Sequence, residues 1–73
     1  MEVVYTRHAK NRMRWRGIKK HEVEMTLKEP ERREIIGPNR FHYFRHFGKR
    51  YVRVTCATED EKLIVISAVD KSE

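Results

Sequence analysis

Hydrophobic and polar positions change their period twice along this chain. Glu2 to Tyr5 is a short β-prone run that stops at Thr6. Thr6 offers an N-cap oxygen, and the following HAKNRMRWR has no breaker before Gly17, which suits the left-handed position that ends a helix. In that segment Ala9 and Met13 lie one turn apart and define the inward stripe. A second helix is expected from about Lys20 to Lys28, where Val23 and Leu27 share a face and Pro30 forces the end. Lys19 takes its cap position, where Ser or Thr is usual.

After Pro30 the spacing shortens to two. Arg33 to Ile36 runs into Gly37-Pro38-Asn39, a strong turn signal. Arg40 to Phe47 is aromatic-rich and closed by Gly48-Lys49, and Tyr51 to Ala57 alternates Val52, Val54 and Cys56 with Tyr51, Arg53 and Thr55. Thr58 to Glu61 makes the next turn, and Leu63 to Val69 is the last strand. The predicted order is β-α-α-β-β-β-β, an α+β fold in a single domain spanning residues 1–73. Short turns imply an antiparallel meander with both helices packed on one face and the other face open. Alternation does not decide which side of Arg40 to Phe47 is buried: either His42 and His46 or Tyr43 and Arg45 face outward.

So short a chain has little interior, which directs any chemistry to an open face or shallow groove. Its 17 Lys and Arg against 11 acidic residues give a formal charge of +6, a field that attracts phosphate polyanions, acidic proteins or anionic lipid. The cations cluster between Arg7 and Lys20 and again between Arg45 and Arg53, as on a folded basic surface. The longest apolar run, Leu63 to Ile66, is too short to span a bilayer, and the N-terminus lacks a signal-peptide layout. A lone Cys56 excludes an internal disulfide and a thiolate zinc cluster, so a cytoplasmic location is expected. His42 and His46 stand roughly 13 Å apart along a strand and cannot share one ion unaided. No cofactor or metal is expected. Absent glutamine and 38% charged residues match heat-adapted composition.

The first helix carries the most unusual chemistry. Arg16 projects onto the inward stripe, Arg12 flanks it, and His8 and Trp15 continue around on the Arg12 side. These arginines either snorkel, reaching water or a second-helix carboxylate such as Glu22, or form a row that grips phosphate bidentately. Trp15 either stacks on an unpaired base or supplies core area, with burial the expected use. In the strands, whichever aromatic set faces outward is mixed with basic groups, which is how single-stranded RNA is commonly held.

The segment TRHAKNRMRWRGIKKHEVEMTL resembles the opening of a family of small prokaryotic domains, domain-of-unknown-function family 4258. That signature runs approximately His-Ala-x-x-Arg-Met-x-x-Arg-Gly-Ile, then Glu-Val and a leucine. His8, Ala9, Arg12, Met13, Arg16, Gly17, Ile18, Glu22, Val23 and Leu27 fill those places, and YVRVTCA with KLIVISAV is similar to its paired last strands. The family is similar in layout to RelE/ParE-like and BrnT-like toxins, compact domains whose open sheet face cuts or binds RNA and which pair with acidic antitoxins. The resemblance implies a metal-independent endoribonuclease in which the RNA 2′-OH attacks the adjacent phosphate.

Under that reading His8, Arg12, His46 and Arg53 are the reacting or charge-stabilising groups. Lys10, Arg14, Trp15, Arg16, Lys19, Lys20, Arg45 and Arg50 would hold the RNA. Two other functions fit the same charge. One is a non-catalytic nucleic-acid-binding domain, and the other an interaction module that docks an acidic protein partner.

Overall fold

The computed structural model describes residues 2–72. Seven elements follow in chain order: β1 (Glu2–Tyr5), α1 (Arg7–Arg16), α2 (Lys20–Lys28), β2 (Arg32–Gly37), β3 (Arg40–Phe47), β4 (Arg50–Glu59) and β5 (Lys62–Asp70). They form one five-stranded sheet in the order β1-β5-β4-β3-β2. Strands β2 to β5 make the expected antiparallel meander, while β1 adds to the outer side of β5 in parallel.

Helix ends are set by local chemistry. Thr6 Oγ1 accepts the Ala9 N–H at 3.0 Å and starts α1. Gly17 stops it at φ 68°, with its own N–H on the Arg14 carbonyl and the Ile18 N–H on the Met13 carbonyl. That pair of bonds also swings Ile18 inward, where it is buried beside Met13. Lys19 does act as the N-cap of α2. Its side chain adds nothing there; instead its backbone N–H donates to Glu22 Oε1 at 2.8 Å.

The core lies between the helices and one sheet face. Ala9, Met13, Ile18 and Val23 from the helices meet Val52, Val54, Val65 and Ala68 from β4 and β5. Tyr43 pairs with Val54 and Arg45 with Val52, so Phe41, Tyr43, Arg45 and Phe47 share the helix side. His42, Phe44 and His46 therefore project from the opposite face, which settles the ambiguity along β3.

A polar cluster pins the helices to the sheet. The Glu22 carboxylate, almost buried, accepts two further bonds from Arg50 Nη1, at 3.0 and 3.1 Å, beside the one from the Lys19 N–H. Arg50 also donates to the Gly17 carbonyl at 3.2 Å and lies 3.7 Å from Asp70. Glu22 is thus engaged by β4 and not by the α1 arginines. No helix among the described residues is long and apolar enough to cross a membrane.

Candidate nucleic-acid interface

On the open sheet face, strand pairing stacks three rungs side by side: His42 with Thr55, Phe44 with Arg53, and His46 with Tyr51. Phe44 is buried even though no helix covers it, because its neighbours do. The Arg32 guanidinium sits 4.7 Å from its ring centroid, the Tyr51 ring stacks at 5.6 Å and the His42 ring meets it edge-on at 6.0 Å. The result is a rigid aromatic floor rimmed by basic groups.

Each outer histidine is held by a carboxylate from the β2 side. Glu31 Oε1 lies 2.8 Å from His46 Nδ1, and its other oxygen accepts the His46 backbone N–H at 3.2 Å. Glu34 Oε1 lies 3.2 Å from His42 Nδ1 and its second oxygen accepts from Arg32 at 2.9 Å. The histidine hydrogen bonds hold both carboxyls below the usual glutamate range. A carboxylate on Nδ1 places the neutral ring's proton there, and Nε2 keeps the lone pair that a general base needs. The His46 ring is also stacked on Tyr51 at 4.2 Å, so its plane is fixed from two sides.

Arg53 occupies the next rung, diagonal to His46, at a backbone separation of roughly 7–8 Å for such positions. Its Nε is buried and has no hydrogen-bond partner among the described residues. Cys56, buried on the helix side, has its thiol pushed up to about 11 by desolvation and takes no part.

The residues singled out from the sequence fall into two groups. His46 and Arg53 come together on the open face. His8 and Arg12 belong to α1, which packs against β5 on the helix side, and there Arg12 Nε donates to His8 Nε2 at 3.3 Å. That bond occupies the lone pair His8 would use as a base. Trp15 is not core: it is 78% exposed, with the Arg12 guanidinium 5.8 Å from its ring centroid. The correction has a simple cause. Ala9 and Met13 already fill the space against β5, and Trp15 lies about 160° round α1 from Met13, on the side turned away from the sheet.

Arg16 neither joins the core nor meets Glu22; it donates to the Ala68 carbonyl at 3.0 Å, on the stretch of β5 beyond the reach of β1. Lys10, Arg14 and Lys19 are exposed on the helix layer, and Lys20 lies 5.7 Å from the Tyr5 ring centroid. Arg45 is drawn inward, donating to the Glu29 carbonyl at 2.6 Å, and Arg50 is held by Glu22.

Glu31 and Glu34 were not singled out from the sequence. A hairpin centred on Pro38 puts residue 34 opposite residue 42, so Glu34 was within reach of register reasoning. Glu31 precedes the strand and was not.

Neither the curated proteins nor the solved structures offer a match to the chain. A family model does match, over residues 5–70, from the end of β1 to the end of β5. The match takes in both helices and the whole open face, and on it the chain belongs to the family described as Domain of unknown function (DUF4258).

Proposed function

We propose that this chain is a toxin-like, metal-independent endoribonuclease that acts in the cytoplasm on single-stranded RNA across its open sheet face. The observation that carries the reading is His46, oriented by Glu31 through Nδ1 and set diagonally to Arg53. In this reading His46 Nε2 takes the proton of a ribose 2′-OH. The 2′ oxygen bonds to the adjacent phosphorus, the bond to the 5′ oxygen breaks, and that oxygen leaves with a proton from solvent. The products are a 2′,3′-cyclic phosphate and a 5′-OH end. Arg53 opposes the negative charge that builds on the phosphoryl oxygens. Lys10, Arg12, Arg14, Arg16, Lys19 and Lys20 lie on the helix layer and would serve phosphates of an RNA that continues round the sheet from the open face, and Trp15 a displaced base.

A second reading, RNA binding without turnover, is favoured by one feature. His42 and His46 are roughly 13 Å apart by strand rise, with Phe44 between them, so a single phosphate meets only one histidine.

Labelled single-stranded RNA incubated with the protein in chelator separates the two. Cleavage to cyclic-phosphate ends, lost in His46→Ala and Arg53→Ala and reduced in Glu31→Gln, is the expected result. A salt-sensitive shift with intact RNA selects binding alone, and neither effect removes RNA as the ligand.

A further inference from the structure

The helices cover only part of the sheet face on which they pack. At about 1.5 Å per residue the nine-residue α2 spans roughly 13 Å, whereas the ten residues of β4 run to about 33 Å. Beside the second half of α2 this leaves a trough of about 490 Å³. Val3, Phe41 and Leu63 floor it from β1, β3 and β5, and Leu27 walls it from α2. Only Leu63 is buried; the other three are half-buried. The Phe41 ring meets that of Tyr43 edge to face, with centroids 6.3 Å apart, so the floor is fixed before any ligand arrives. The volume falls within the roughly 300–1,000 Å³ of small-molecule sites.

Three charged side chains, Glu24, Lys28 and Arg33, stand at the mouth of the trough. Glu24 and Lys28 are one helical turn apart, a spacing that favours pairing, yet neither enters an ion pair among the described residues. Glu24 acts instead on Tyr5, whose hydroxyl is pushed up by burial and then by that carboxylate, which sets the negative charge on the β1 side. Lys28 belongs to the last turn of α2 and offsets the negative end of the helix. Arg33 is opposite Tyr43 across the strand pair and therefore points to the helix side, where no carboxylate among the described residues holds it. The mouth is thus negative toward β1 and positive toward β2, with two cations to one anion above an apolar floor. Its complement is a molecule with an apolar body and one carboxylate, whose two oxygens match the guanidinium fork.

We propose that the trough binds a free medium-chain carboxylate, with its hydrocarbon chain on Val3, Leu27, Phe41 and Leu63 and its head group on Arg33 and Lys28. Chain and head group contribute separately, and each methylene buried on the floor tightens binding by up to about fourfold. The site lies on the opposite side of the sheet from His46 and Arg53, so it stands or falls independently of RNA cleavage.

The test follows amide shifts of the isotope-labelled full chain during titration with decanoate, hexanoate and decyltrimethylammonium. Decanoate is expected to bind with a Kd of about 1 mM or below and to shift Val3, Leu27, Phe41 and Leu63. Hexanoate and the cationic probe should each bind roughly tenfold more weakly or worse. Arg33→Gln should weaken decanoate on the order of tenfold and leave the cationic probe unaffected. It should also leave the thermal midpoint in place, since Arg33 is exposed. Equal binding of the two ten-carbon probes, shifts confined to α1 or the open face, or no binding at about 5 mM decanoate overturns the proposal. So does a double variant, Arg33→Gln with Lys28→Gln, that binds decanoate as tightly as the parent. Phosphatidylglycerol vesicles that shift the same signals would give the trough to membrane lipid and overturn the free ligand.

Discussion

Glu31 lies at the surface, yet its carboxyl is held below its ordinary value, first by the side-chain hydrogen bond from His46 and then by the His46 backbone N–H. A nuclear magnetic resonance titration should place it below the usual glutamate range, and His46→Ala should return it to that range. The consequence for stability has a definite sign. A carboxyl lowered on folding contributes above its unfolded value and loses that contribution as pH falls through the folded one. Glu34, lowered chiefly by His42, behaves alike, so the open face should loosen on the acid side while neutral and mildly alkaline pH leave these pairs intact. Trp15 tests the other group of residues. Being 78% exposed, it should cost less than about 0.5 kcal/mol of stability when replaced by alanine. If it stacks on a base, Trp15→Ala should weaken RNA binding by about 1–3 kcal/mol in a filter or anisotropy assay. Unchanged affinity would reduce it to a surface side chain that shields Arg12.

At the scale of the elements, the turn between β4 and β5 carries visible strain. Asp60 and Glu61 stand at φ 48° and 61°, both in the left-handed region, as a two-residue hairpin turn of this hand requires. Aspartate tolerates that region and glutamate does so poorly. Glu61→Gly should therefore stabilise the chain by about 1 kcal/mol, read as a rise in the denaturant midpoint at constant slope. Turns and caps of this kind are also what made the fold legible. Thr6, Gly17, Pro30, Gly37-Pro38-Asn39 and Gly48-Lys49 each act on their immediate neighbours, so the element order followed from the sequence with ends within a residue or two. Long-range choices were less visible. Nothing local says that β1 joins β5 in parallel, or that Ile66 is left out of the ladder between the Thr55–Ser67 and Cys56–Val65 pairs. The face of β3 stayed ambiguous for a related reason: Phe44 is as apolar as Phe41, and its burial depends on Arg32 and Tyr51 arriving from other strands. The candidate site was half legible. His46 and Arg53 could be named because both residue types carry chemistry, while Glu31 acquires its role only through tertiary contact.

For the molecule as a whole, a charge of +6 does not mean that every cation is available to a ligand. Arg50 is the clearest case, since it neutralises a nearly buried Glu22 and joins the helix layer to β4 and β5. Removing it would strand that carboxylate, at a cost of about 2–4 kcal/mol. That is a large share of the roughly 4–11 kcal/mol available to a chain of this size. Arg14 and Lys10 are exposed on α1, and among the described residues neither is held by a carboxylate. Charge that is free should appear as counterion release: about four phosphate contacts on single-stranded RNA would give a slope near −3 in log affinity against log salt. Arg14→Ala should then reduce that slope by about 0.7 while leaving the melting temperature in place. Arg50→Ala should do the reverse, lowering the melting temperature by several degrees with the slope unchanged wherever the protein remains folded. If Arg50→Ala alters the slope as Arg14→Ala does, Arg50 exchanges Glu22 for phosphate on binding, and the helix-to-sheet clamp must open when RNA arrives.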